Sequence, residues 1–387
     1  MPRVSSRADP EASTMTSDAV RVLLLTPIMA PYRVPAFNAL ADRGDVNLQV
    51  IYLARSDPIR GWPGSEEEIR HPYGVLNDLA RARRGEAYVH ASWGLAARLR
   101  SFRPRVVIAG GWDQPAHAEA FAIRKALGYR FLWWVESTSR DRRRGGRITE
   151  SVKRHLARAA DGCIVPGHAS KAYVRSLGVR VDAVFVAPNP VDHELFSTRA
   201  RRDRSISGER VRFLFVGRLE DSKGVHVLLD AWERLEAEAE LTVAGDGPLA
   251  DLVEVRSRRA KHPIRIVGHL QRDALVDEYA RADVFVFPSL SDPWGLVINE
   301  AAAAGLPVIA TTAPGAVDDL VRDGLTGFVV EPGSASELTR AMSELARDRE
   351  LRIRMGAASA QIVAGHSPAS WAQAVADAVR AAADGPG

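Results

Sequence analysis

The chain has 387 residues, too many for one ordinary domain, and two is the natural division. Apolar residues make up 46% and charged residues 26%, the balance of a globular enzyme. No uninterrupted apolar stretch reaches the roughly 18–20 residues of a membrane span, and the single cysteine, Cys163, excludes disulfides within the chain and fits a reducing cytoplasm.

The net charge of +4 is unevenly spread. Residues 20–195 carry 27 Lys and Arg against 17 Asp and Glu, whereas residues 196–387 carry 23 against 28. Either the first half meets something anionic, or arginine decorates its exposed helices.

In chain order, residues 1–19 lack an apolar signal core and read as a disordered lead, with Met15 as an alternative start. Val20–Thr26 is a buried-strand run, followed by a proline-rich turn and a helix over Tyr32–Ala41. Strands follow at Val46–Leu53, Arg105–Ala109, Arg130–Val135, Gly162–Pro166 and Ala183–Ala187, with a helix at Ala116–Leu127. Apolar, β-branched runs alternating with helices imply parallel strands covered on both faces. Residues 198–210 are polar and aperiodic, the composition of a linker. The alternation then restarts, with strands at Val211–Val216, Ala239–Ala244, Ile264–Val267, Val284–Pro288, Pro307–Thr311 and Gly327–Val330. Helices are expected at His226–Glu236, Ala250–Ala260, Arg272–Arg281 and Gly295–Ala304, and a last one with a single buried stripe at Pro368–Ala383. The expected division is a first α/β domain over 20–197, a second over 211–366, and a final helical segment over 367–387.

Two doubly wound domains bind ligands at the carboxyl ends of their strands, so the loops there are where chemistry is sought. In the second half, Gly217 ends a strand, and Arg218 and Lys223 stand five residues apart before a helix. A fork-shaped and a point-like cation beside a helix N-terminus suit a diphosphate, although two solvated cations on a surface loop look the same. Gly245-Asp246-Gly247-Pro248 permits close backbone approach, or is an ordinary strand–helix junction. In Ser291-Asp292-Pro293-Trp294-Gly295, a strand end leads to a helix near Gly295, with Glu300 in its second turn. The N–H groups of Gly295, Leu296 and Val297 form an anion site at the helix start. Two flanking carboxylates make sense if that anion carries sugars on both sides; otherwise Asp292 caps the helix and Glu300 is a solvated helix residue.

These motifs in this order, G-R-L-x-x-x-K-G from Gly217, G-D-G-P from Gly245, and Asp292 with Glu300-Ala301 eight residues on, resemble the nucleotide-sugar domain of family 4 glycosyltransferases. The resemblance extends to Asn189-Pro190-Val191-Asp192 and to the last helix. It implies the GT-B fold: two Rossmann-like doubly wound domains facing across a cleft, with the C-terminal helix crossing back to the first. It implies a UDP- or GDP-linked sugar as co-substrate, transfer to an acceptor hydroxyl with retention, and no requirement for metal. No metal-ligand cluster stands out in the sequence. Carried over residue by residue, Gly217 lies at the donor site, and Arg218 and Lys223 hold the diphosphate together with the N–H groups of Gly295, Leu296 and Val297. Glu300 binds the ribose, Asp292 the transferred sugar, and Gly245, Val267 and His269 border the donor. The family usually has Glu where this chain has Asp292, whose carboxylate sits about 1.5 Å, one bond length, short of it.

The first half departs further. Pro31-Tyr32-Arg33-Val34-Pro35 stands where paired glycines are usual; Tyr32 and Arg33 either touch the acceptor or simply begin the helix. Trp112, Asp113 and Gln114 follow Gly110-Gly111 at a strand end and suit sugar binding. Many family members place a histidine at the position of Gly110; His117 is seven residues on and reads as structural. Glu136 emerges where an acceptor belongs. The basic run Arg140–Arg158 suits a phosphate-bearing acceptor or an anionic membrane at its cytoplasmic face, or is a solvated loop. Without aromatic residues interleaved, it does not resemble a nucleic-acid surface. A nicotinamide dehydrogenase is disfavoured because no G-x-G-x-x-G is present. An epimerase of the same fold, or a non-catalytic sugar-nucleotide-binding subunit, stays open.

Overall fold

The computed structural model describes residues 18–56, 66–84, 87–141, 146–197 and 210–385. Most of the expected lead, nearly all of the linker over 198–210, and Arg142–Gly145 of the basic run lie outside these residues.

The first domain contains β1 (Val20–Ile28), α1 (Val34–Ala41), β2 (Val46–Ala54), β3 (Tyr73–Val75), β4 (Asn77–Arg84) and β5 (Ala87–Trp93). It continues with α2 (Leu95–Phe102), β6 (Val106–Gly110), α3 (Pro115–Leu127), β7 (Arg130–Trp134), α4 (Arg147–Ala159), β8 (Gly162–Val165), α5 (His168–Ser176) and β9 (Val184–Val186). The second runs β10 (Val211–Val216), α6 (Val225–Glu233), β11 (Ala239–Ala244), α7 (Ala250–Ser257), β12 (Ile264–Gly268), α8 (Arg272–Arg281) and β13 (Val284–Phe287). Then come α9 (Leu296–Ala303), β14 (Val308–Thr311), α10 (Val317–Leu320), β15 (Gly327–Val330), α11 (Ala335–Arg347), α12 (Arg349–Val363) and α13 (Pro368–Asp384).

Seven strands pair in the order β3-β2-β1-β6-β7-β8-β9, and six in the order β12-β11-β10-β13-β14-β15. The ladders within both sheets are parallel. In each sheet the chain reverses its direction of winding beside the first strand, where Val22 pairs with Val106 and Phe213 with Val284. Parallel strands buried on both faces need apolar side chains at every position. In β1, Leu23 and Leu25 join Phe131 and Trp133 on one face, whereas Val22 and Leu24 join Phe37 and Trp371 on the other.

Trp371 belongs to α13, so the last helix packs on the first domain although it follows the second in sequence. Its ring lies 5.7 Å from Phe37 and 5.4 Å from Trp134, centroid to centroid. A capping box at Ser367 and Ser370 starts this helix.

The structure adds elements that periodicity did not reveal: α2, α5, α11, α12 and the antiparallel β4–β5 hairpin, which forms its own two-stranded sheet. It also corrects one expectation and decides one alternative. The expected helix over Tyr32–Ala41 opens as a 3-10 turn, Pro31–Arg33, because two prolines remove backbone donors at its start. The basic segment over 147–159 is a helix, α4, rather than a loop.

Candidate functional site

A cavity of about 720 Å³ opens between the two domains, at the carboxyl ends of both sheets. Eleven of the expected residues line it. Tyr32, Arg33, Trp112, Asp113, Gln114 and Glu136 face it from the first domain. Arg218, Lys223, Asp292, Gly295 and Leu296 face it from the second.

The second-domain wall is a set of interlocked loops. The loop after β13 docks on the turn after β10: Leu290 N–H and the Ser289 hydroxyl both donate to Ser222 O, at 2.8 and 3.0 Å. This brings Lys223 Nζ to 2.8 Å from Asp292 Oδ2. The pair is largely sheltered, with side-chain exposures of 14% and 18%. Asp292 Oδ1 accepts from Trp294 N–H at 3.1 Å, which fixes the carboxylate just ahead of α9. Gly295 caps α9 at φ +92°, a left-handed conformation in which Cβ is costly. The first N–H groups of α9 have no intrahelical acceptor and carry the positive end of the helix dipole toward the cavity. Arg218 donates from Nε to Glu220 Oε2 at 3.1 Å, and Glu220 Oε1 accepts from the Ser222 hydroxyl at 2.8 Å. Glu220 also lines the cavity and was not singled out from sequence.

The remaining expected donor residues lie off the cavity lining. Gly217 and Gly245 pack on each other: a Cβ at Gly245, φ +144°, meets Gly217 O at 1.8 Å. The close approach expected at Gly245 is therefore to a neighbouring loop. Glu300 and Val297 sit against Tyr279, whose hydroxyl lies 2.8 Å from Glu300 Oε2 and 3.4 Å from Val297 O. Burial pushes the Glu300 carboxyl up to about 7, although the Tyr279 hydroxyl and Arg272 favour its charged form. Val267 packs on the second-domain core near the end of β12, and His269 is exposed just beyond it.

On the first-domain wall, Arg33 lies 4.3 Å over the Trp134 ring and donates from Nη2 to Glu136 Oε2 at 3.2 Å. Asn189 Nδ2 holds the other oxygen of Glu136 at 3.1 Å. Burial opposes the charge on Arg33, but Tyr32 and Glu136 outweigh it and raise its pKa. A Cβ at Gly110 lies 3.9 Å from Arg33 Nη1, so the guanidinium borders Gly110. His117 is fully buried on α3, with Nδ1 3.3 Å from Gly111 O. Burial pushes its pKa down to about 4, so it is neutral at pH 7.

Two expectations change here. Gln114 spends both ends of its amide on the hairpin: Oε1 accepts from His90 N–H at 3.0 Å and Nε2 donates to Tyr88 O at 2.9 Å. The basic run also splits by role. Arg140 reaches across to Asp318 of the second domain. Lys153 is buried, 3.2 Å from Glu150 Oε1 and 3.4 Å from the Tyr173 hydroxyl, and lines the cavity. Arg147, Arg154 and Arg158 are exposed on α4 beside Ile148 and Val152, which are 83% and 52% exposed.

Sequence reading missed Tyr88 and His90, which line the cavity from β5. Alternating residues over Ala87–Trp93 after Gly85-Glu86 were the available signal for a hairpin. Among the described residues no group of three or more His, Cys, Asp or Glu is placed to hold a metal, and no helix is long and apolar enough to cross a membrane.

Two family models match: Glycosyltransferase Family 4 over residues 37–195, and Glycosyl transferases group 1 over residues 210–348. The chain belongs to this glycosyltransferase family, and its fold is GT-B. It is 34% identical over 218 residues to the sulfoquinovosyl transferase SQD2 of Arabidopsis thaliana, covering 54% of this chain and 42% of that protein. It is 32% identical over 274 residues to the glycogen synthase of Mycobacterium tuberculosis, covering 68% of this chain and 65% of the relative. The chain thus spans about two fifths to two thirds of the length of these curated relatives. The structure of Anabaena Alr3699/HepE in complex with UDP and glucose superposes with a TM-score of 0.73 at 18% identity, covering 92% of this chain and 98% of that one.

Proposed function

We propose that this protein is a retaining glycosyltransferase that moves a sugar from a UDP- or GDP-sugar to an acceptor hydroxyl, in glycan, glycolipid or cell-envelope synthesis. The observation that carries the reading is the sheltered Lys223–Asp292 pair beside the Gly295 helix start, facing Arg33 and Glu136 across one cavity. The UDP-bound neighbour and the relative named glycogen synthase agree with a nucleotide-sugar donor.

In this reading Arg218, Lys223 and the N–H groups of Gly295, Leu296 and Val297 take the diphosphate. Charge growing on the leaving phosphate meets donors already in place, so little reorganisation is needed at the moment of bond breaking. Asp292 accepts from hydroxyls of the transferred sugar, and Glu300 from the ribose. Val267 and His269 border the base, and Gly217 and Gly245 keep the loops close enough to form the wall. Tyr32, Arg33, Trp112, Asp113 and Glu136 face the acceptor. The acceptor hydroxyl attacks from the face the diphosphate leaves, its proton passing to the departing phosphate oxygen, and retention follows. Closing the cleft excludes water that otherwise hydrolyses the donor.

Calorimetric titration with UDP and GDP tests the donor half. One of the two binds, and its affinity rises about tenfold between about pH 6 and pH 8, as Glu300 ionises and accepts from the ribose. The sign follows from a carboxyl raised to about 7 in the folded chain from its ordinary 4.5. The buried carboxyl favours its protonated form, so its stabilising contribution is full below the lower value and lost as pH rises through about 7. Binding needs the charged form and strengthens over the same window. Glu300→Gln flattens the rise; failure of both nucleotides to bind contradicts the reading.

The exposed arginines of α4, Arg147, Arg154 and Arg158, also suit peripheral contact with an anionic membrane, and Ile148 of the same helix is 83% exposed. Each arginine near such a surface contributes about 1 kcal/mol. The protein is expected to sediment with phosphatidylcholine vesicles containing phosphatidylglycerol, and Arg154→Ala with Arg158→Ala to weaken that about tenfold or more. Equal binding to pure phosphatidylcholine contradicts it.

A further inference from the structure

The β4–β5 hairpin stands apart from both large sheets, yet it supplies part of the cavity wall. Tyr88 and His90 are two residues apart on β5, so their side chains share one face of the ribbon, and both line the cavity. His90 is 1% exposed in spite of being polar. An isolated two-stranded hairpin is marginal in water and needs something to hold it. Gln114 does so from the loop after β6: its 2% exposed side-chain amide clamps the backbone on both sides of Val89, accepting from His90 N–H at 3.0 Å and donating to Tyr88 O at 2.9 Å. The same loop carries Trp112, whose ring centre lies 5.0 Å from that of Trp133. Tyr88, His90 and Trp112 thus all line the first-domain side of the cavity, whose second-domain side holds the Lys223–Asp292 pair.

We propose that this hairpin selects the acceptor. Tyr88 forms the surface against which a sugar ring of the acceptor lies, the buried His90 backs it on the same face of the hairpin, and Gln114 is the positioning residue that sets their distance from the donor. The inference rests on the glycosyltransferase reading above. The chemistry fits a pyranoside: a flat apolar ring face against Tyr88, whose phenol can exchange a hydrogen bond with a ring hydroxyl. Trp112 on the adjoining loop adds further apolar surface.

The experiment uses the full chain, UDP- and GDP-sugars, and methyl glycosides of glucose, galactose, mannose and N-acetylglucosamine as acceptor probes, with nucleotide release as the readout. At least one glycoside is expected to raise release above the acceptor-free rate. For that glycoside, Tyr88→Ala and His90→Ala each raise the acceptor KM about tenfold or more, while the donor KM moves less than about twofold. Gln114→Ala shifts the acceptor KM in the same direction, with a smaller effect on kcat, a split that general loosening of the fold does not produce. Unchanged acceptor KM in Tyr88→Ala and His90→Ala overturns the inference, as does a parallel rise in both KM values. Donor hydrolysis that no glycoside stimulates overturns it while leaving the donor reading intact. No nucleotide release from any UDP- or GDP-sugar sinks the glycosyltransferase reading and the inference with it.

Discussion

Lys223→Ala is expected to lower turnover by about two to three orders of magnitude while leaving the fold in place, the usual cost of removing one charge-stabilising donor from a transition state. The ammonium is held ahead of α9 by Asp292 Oδ2 at 2.8 Å, at a site where both side chains are largely sheltered from water. A cation there meets a leaving diphosphate without moving far and at lower effective dielectric than in bulk. Removing it also leaves Asp292 without its ion pair, but Trp294 N–H still fixes that carboxylate. Unfolding by denaturant therefore shifts little, and the loss appears in kcat more than in donor KM. Turnover within about threefold of the parent enzyme contradicts the assignment.

The second large effect is on stability. Trp371→Ala is expected to cost about 3–5 kcal/mol in the unfolding transition of the first domain, the range for deleting a buried aromatic. The indole is 1% exposed and packs among Phe37, Trp134 and the residues of β1 and β2. Arg43 Nη1 donates to Gln373 at 2.8 Å and Arg105 Nη2 to Ala383 O at 2.9 Å, but these exposed bonds are worth little when the ring is gone. The damage reaches the cavity too, since Trp134 carries Arg33 on its other contacts, and Arg33 holds Glu136. Trp371→Phe is milder. A cost under about 1 kcal/mol contradicts the view that α13 completes the first domain's core.

Both domains were legible because a parallel strand announces itself: runs such as Val20–Thr26 and Val211–Val216 are apolar at every position, and strands β10, β11 and β15 match the expected bounds. The hairpin carried its signal on one strand only: Ala87–Trp93 alternates, but arginines on β4 break the apolar alternation that marks a strand. Helices α11 and α12 escaped for another reason: they abut at Asp348, which caps the second, and no turn residue separates them. Within the site, Arg218, Lys223 and Asp292 were readable from motif order, since strand-end loops are where such sheets bind ligands. What sequence could not give was partnership. Nothing local says that Lys223 pairs with a carboxylate in another loop, that Gln114 turns inward to the hairpin, or that Lys153 leaves the exposed arginines of its helix for the cavity. Those contacts join positions far apart in the chain, and the packing of whole loops decides them.

The central claim is that the diphosphate of a sugar nucleotide sits at the start of α9. A crystal structure with UDP or GDP, whichever binds more tightly, tests it most directly. The account predicts phosphate oxygens at hydrogen-bond distance, about 3 Å, from the backbone N–H groups at Gly295–Val297 and from Arg218 and Lys223. A diphosphate bound instead at the Gly110–Asp113 loop of the first domain, with Lys223 still closed on Asp292, contradicts it.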